Sequence, residues 1–72
     1  MSTPVVAPIT GIVWKILVNV GDQVTSNEVV ALLESMKMEV PVRTPFAGIV
    51  QSVEVSSGDS VEDGDTLVTL IG

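Results

Sequence analysis

Apolar and polar residues alternate in short runs along this chain, and turn residues separate the runs. "GIVWKILV" (11–18) and "GIVQSVEV" (48–55) read as strands, and Gly-Asp steps at 21–22 and 58–59 mark turns after them. Gly21 and Gly58 can adopt positive φ, and Asp22 and Asp59 can bond to nearby backbone. At the following turn the chain carries Asn27 in one run and Gly64 in the other. These two residue types best tolerate a left-handed backbone, so one is predicted at each position. No stretch sustains an apolar period of 3.6 residues over helical length, so an all-β domain is predicted.

The same pattern occurs twice. Shifted by 37 residues, "PVVAPITGIVWKILVNVGDQVTSNEVVALLES" (4–35) overlies "PVRTPFAGIVQSVEVSSGDSVEDGDTLVTLIG" (41–72) without a gap, and 11 of the 32 pairs are identical. The identities include Pro4/Pro41, Pro8/Pro45, Gly11/Gly48, Gly21/Gly58 and Asp22/Asp59, which a bias toward valine does not explain. Two copies are too few for a solenoid, which needs at least three units. They predict instead a flattened β-barrel or sandwich of two four-stranded sheets with internal pseudo-two-fold symmetry. Ile12, Ile16 and Val18, with their mates Ile49, Val53 and Val55, are expected in its core. Trp14, whose mate is Gln51, is expected to cover one edge of that core.

Residues 36–40, "MKMEV", belong to neither copy. They form the junction at which "VVALLES" must reverse into "MEVPVR", so Lys37 is expected on an exposed hairpin tip. The axis relating the halves is expected to pass close by, with both chain termini together at the far end.

Composition narrows the functional classes. Seventy-two residues make one small domain, 1–72, that needs a dense core; 46% of them are hydrophobic and fifteen are valine, a residue suited to pleated surfaces. With no cysteine, a disulfide framework or thiolate metal site is excluded, and with no histidine the commonest general base is missing. Three cations against nine acids leave a net charge of −6, a balance that disfavours nucleic acid and anionic membranes. No basic segment precedes an apolar stretch, and the longest plain apolar run is "VVALL" (29–33), so neither a secretory signal nor a membrane span is read. A cytoplasmic, monomeric domain is the expectation.

Two groups could carry chemistry. The acid-rich "GDSVEDGD" (58–65) lacks the alternating spacing of a calcium loop, and its Gly58, Asp59 and Asp65 lie in register with Gly21, Asp22 and Glu28. It reads as turns that bear charge, and no metal site is assigned. The other is Lys37 between Met36 and Met38. A lysine in a turn is ordinarily a solvated charge, and methionine in a small domain is ordinarily core filler. A tip of two or three residues has little room to bury both methionines, however. An amine within a soft apolar recognition surface is the alternative. Glu39 and Arg43 are candidate contacts near this tip.

"ESMKMEV" resembles the attachment motif of biotinyl domains, whose core is Met-Lys-Met, often preceded by Ala where this chain has Ser35. "APITG" (7–11), "TPFAGIV" (44–50), "VGDQV" (20–24) and "SGDSV" (57–61) are similar to other motifs of that family, so the resemblance spans essentially the whole chain. It is strongest toward small biotin/lipoyl attachment proteins and the carrier domains of acyl-CoA carboxylases such as acetyl-CoA carboxylase. Ile9, Thr10 and Ser35 depart from the family pattern, and the inserted thumb of some bacterial carriers is missing. The resemblance implies a biotin carboxyl carrier without catalytic residues of its own. A biotin protein ligase would join biotin to the Lys37 amine, with Met36 and Met38 as recognition flanks and Glu34, Ser35 and Glu39 as ligase contacts. Because the chain has no histidine, proton removal from that amine falls to the ligase. The tethered biotin would then carry carboxylate from a biotin carboxylase to a carboxyltransferase. The related lipoyl domains share the fold and the tip lysine, but they place an acid, commonly Asp, before that lysine and a small residue after it. An unmodified barrel module, of the kind found in efflux adaptors, would need no lysine there.

Overall fold

The computed structural model describes residues 2–72; Met1 lies outside the described residues. Eight strands follow one another along the chain: β1 (Ser2–Val6), β2 (Gly11–Ile16), β3 (Gln23–Val24), β4 (Val29–Ser35), β5 (Met38–Arg43), β6 (Gly48–Val53), β7 (Ser60–Val61) and β8 (Thr66–Ile71). They form two four-stranded antiparallel sheets, ordered β1-β8-β6-β3 and β5-β4-β2-β7. A shift of 37 residues carries β2 exactly onto β6 and β3 onto β7, and it turns one sheet order into the other. The expected two-sheet architecture with pseudo-two-fold symmetry is therefore present. Each sheet, however, mixes strands from both sequence copies, so neither sheet is complete without both.

The turns follow the predicted chemistry. Asn27 and Gly64 have φ of 75° and 94°, and Gly21 and Gly58 have φ of 94° and 96°. The Asp22 carboxylate accepts the Asn19 N–H at 2.8 Å, and the Asp59 carboxylate accepts the Ser56 N–H at 2.9 Å. Glu28 and Asp65 accept the N–H groups of Thr25 and Glu62 in the same way. In the acid-rich stretch 58–65, Asp59 and Asp65 are thus used in closing turns.

The core is built from Val, Leu and Ala between the sheets, with Leu33, Leu67, Leu70, Val13 and Val50 almost fully buried. Val18 is also buried, and Ile16, Val53 and Val55 pack against the core from its margin. Ile12 and Ile49 correct the sequence expectation, for they are 47% and 48% exposed. The cause is a β-bulge. The register of β2 against β4 shifts between Val13 and Lys15, and that of β6 against β8 shifts between Val50 and Ser52. An extra residue, Trp14 or Gln51, reverses the alternation at that point. The inward set is therefore Val13 and Ile16 rather than Ile12 and Ile16. Trp14, at its bulge, is half exposed.

The symmetry axis is also misplaced by the sequence argument. The β4–β5 hairpin corresponds to the β8–β1 pair, in which Ser2 lies opposite Ile71 at the chain termini. The axis thus exchanges hairpin tip and termini instead of passing beside Lys37. It emerges at a surface groove lined by Ile16, Val18, Asn19 and Val20 and by their mates Val53, Val55, Ser56 and Ser57. At the far end Ser2 and Ile71 are paired. From Arg43 at the foot of β5 the chain runs through Thr44 to Gly48, which touches Ile71 and Gly72. The molecule measures 33 × 19 × 18 Å.

Candidate functional site

The β4–β5 ladder continues to its last pair, Ser35 opposite Met38, leaving Met36 and Lys37 as a two-residue loop. Both have positive φ, 51° at Met36 and 66° at Lys37. Tight two-residue hairpins of the primed type need this geometry because it matches strand twist, and they ordinarily recruit Asn and Gly to adopt it. An L-residue with a β-carbon costs about 1–2 kcal/mol in this region. Met-Lys is therefore a strained choice on conformational grounds, imposed by the β4–β5 pairing beneath it. Strain of this kind concentrates where a side chain must be presented in a fixed way.

What the loop presents is an exposed lysine between two methionines of 92% (Met36) and 68% (Met38) exposure. Neither belongs to the hydrophobic core cluster. The filler reading of Met36 and Met38 thus fails, since apolar side chains gain nothing from standing in water. They add contact surface on either side of the amine.

Of the other expected contacts, Ser35 is half-buried at the base of the loop, and Glu34 and Glu39 face each other directly across the ladder. Like charges in that arrangement repel modestly. Ile12 stands next to Glu34 in the same row. Arg43 does not join them. It pairs with Val29 at the opposite end of β5, and its Nη1 donates to the Asn27 carbonyl oxygen at 3.0 Å.

Two supports of the tip escaped the sequence reading. A β-carbon at Gly11 would lie 2.6 Å from the Glu34 carbonyl oxygen and 3.5 Å from the Ser35 β-carbon, so β2 runs against the backbone just below the loop. The pairing of Gly11 with Gly48 in the repeat was its only signal. Thr10, one of the departures from the family pattern, accepts the Asp63 N–H at 3.1 Å. Ala7 exchanges backbone hydrogen bonds with Asp65 and Gly64 nearby. Segment 7–10 is thereby tied to turn 62–65 and leads directly into Gly11.

Chemically, this arrangement offers one accessible primary amine on a rigid turn, with apolar flanks and carboxylates on the strands below. The chain has no histidine, and the carboxylates on the strands below the loop are those of Glu34 and Glu39. A long, flexible group on Lys37 would extend into solvent from the end of the long axis opposite the termini, so the site fits a tethered acyl group.

A family described as "Biotin-requiring enzyme" matches residues 1–70. Among curated proteins, a biotin carboxyl carrier protein from Streptococcus mutans is 54% identical over 33 residues, which are 46% of this chain and 25% of that protein. Biotinylated protein TB7.3 from Mycobacterium bovis is 50% identical over 40 residues, 56% of each chain, and its Mycobacterium tuberculosis counterpart matches equally. The chain thus spans between a quarter and about half of the length of these relatives. Among solved structures, the urea carboxylase of Kluyveromyces lactis superposes with a TM-score of 0.92 at 31% identity, over 99% of this chain and 6% of that one. A single-chain, multi-domain long-chain acyl-CoA carboxylase gives 0.88 at 26% identity, over 94% and 7%.

Proposed function

The chain belongs to the family of biotin-requiring enzymes, and on that premise we propose that it is a biotin carboxyl carrier domain with Lys37 as its attachment residue. The observation that carries the assignment of Lys37 is its position: it is one of two residues of a strained, exposed hairpin loop, flanked by solvent-facing methionines. Attachment would join the Lys37 Nζ to the carboxyl carbon of biotinyl-AMP as an amide, breaking the acyl–phosphate bond and releasing AMP, with a biotin protein ligase supplying the biotinyl-AMP and accepting the amine's proton. Once bound, biotin supplies a ring that takes up and releases a carboxylate group.

This chain's own contribution is placement. The β4–β5 ladder and Gly11 hold the Lys37 turn, and attachment at the turn raises the local concentration of the arm at each active site it can reach, on the order of millimolar. Met36 and Met38 would pack against the ligase, and Glu34 and Glu39 would meet cationic groups on it. Chemistry rests with the cofactor and the partner enzymes, a biotin carboxylase and a carboxyltransferase, so the domain is a carrier and not a catalyst. The acyl-CoA carboxylase among the structural neighbours supports an acyl-CoA as acceptor, and a cytoplasmic setting belongs to the same reading.

The test is intact mass after coexpression with a biotin ligase and free biotin, on wild type and Lys37→Ala. One biotinyl increment on wild type alone is expected. An unmodified wild type beside a modified control carrier would reject the assignment, and a lipoyl increment from ordinary cells would move it to the sister type.

A further inference from the structure

We propose that Met36 and Met38 are a reversible oxidation site, and that sulfoxide at either position blocks loading of Lys37. The inference rests on the attachment role of Lys37 proposed above. Met36 and Met38 are 92% and 68% exposed, and neither belongs to the core cluster. The chain has no cysteine, so no thiol competes for an oxidant, and its remaining methionine is Met1. Among the described residues, an encounter with peroxide in solution therefore falls on the two sulfurs that border the amine.

The step is a two-electron oxygen transfer. The thioether sulfur attacks one oxygen of hydrogen peroxide, the O–O bond breaks, and a sulfur–oxygen bond forms with release of water. A dithiol-dependent methionine sulfoxide reductase returns the oxygen as water and leaves a disulfide on the reductant. The product is polar and sulfur-chiral where a partner expects a soft apolar surface, so docking is lost while the fold remains. The fold is spared because neither side chain is part of the core. Leucine would give a similar apolar surface without this sensitivity, which makes the choice of sulfur at both flanks consequential.

The test uses the whole unbiotinylated chain, treated with hydrogen peroxide for graded times. Peptide mass spectrometry reads oxygen additions of about 16 Da at Met36 and Met38, and the initial rate of biotinylation is then measured with ligase, ATP and biotin. Loading is expected to slow by roughly tenfold or more as the flanks oxidise, because apolar contact with the ligase is lost. The melting temperature should hold, and methionine sulfoxide reductases with a dithiol should restore the rate. Met36→Leu with Met38→Leu, where it loads, should be indifferent to peroxide. A fully oxidised wild type that loads at the untreated rate overturns the inference and leaves the carrier reading intact. So does slowing that reductase does not reverse, or that accompanies unfolding. Failure of the untreated chain to load at all would instead remove the carrier reading, and this inference with it.

Discussion

Gly11 lies against Glu34 so closely that a β-carbon on the glycine would stand 2.6 Å from the glutamate's carbonyl oxygen. Gly48 bears the same relation to Ile71, at 2.7 Å, beside the chain termini. The repeat thus contains its own control, with one close approach below the Met36–Lys37 loop and its mate at the far end. Gly11→Ala and Gly48→Ala should each destabilise the fold by about 1–3 kcal/mol through overpacking against backbone. That corresponds to roughly 4–8 °C of melting temperature per kcal/mol in a domain this small. Only Gly11→Ala should also slow biotinylation, because only it displaces the strand ending at Ser35. Equal loading rates for the two variants would mean that the tip does not depend on this contact.

The positive φ at Lys37 predicts that activity and stability conflict there. Lys37→Gly should raise stability by about 1 kcal/mol in chemical denaturation, since glycine adopts this geometry without a β-carbon clash. The same variant should accept no biotin. A variant less stable than wild type would show that the lysine side chain makes a contact outweighing the strain.

The flanks set the expected choice of cofactor. Met36→Asp with Met38→Ala should lower biotinylation and admit some lipoylation, both read by intact mass with the two ligases in parallel. Full biotinylation of the double variant would show that recognition lies elsewhere, with the strands below the loop as the next place to look.

Trp14 occupies the same bulge that Gln51 occupies in the other half. Trp14→Gln should cost less than about 1 kcal/mol, because the site is half exposed and the backbone there accepts glutamine in the mate. A larger loss of melting temperature would mean that the indole seals the core more tightly than its exposure indicates.

Much of this protein could be read from its order of residues. Short apolar alternation, paired turn residues and the 37-residue repeat determine an all-β domain with two-fold symmetry, because strand periodicity and left-handed turns are local properties. Asn27 and Gly64 took the expected conformation for that reason. The lysine at the junction was legible as well: the one segment between the two copies had to be a reversal.

Other features depend on what lies across the sheets. A bulge is a mismatch of register between two strands, so its location at Trp14 and Gln51 cannot be seen in one strand alone, and it decided that Val13 and Val50 are buried in place of Ile12 and Ile49. The interleaving of the two copies in each sheet placed the axis between residues 16–20 and 53–57, far from the hairpin tip. Gly11 beneath Glu34, and Thr10 against Asp63, join residues distant in the chain. The sequence by itself determined which residues turn and which amine is presented. Only the tertiary structure decided which face each strand buries and what holds the amine in place, because those depend on contacts between strands that no local pattern encodes.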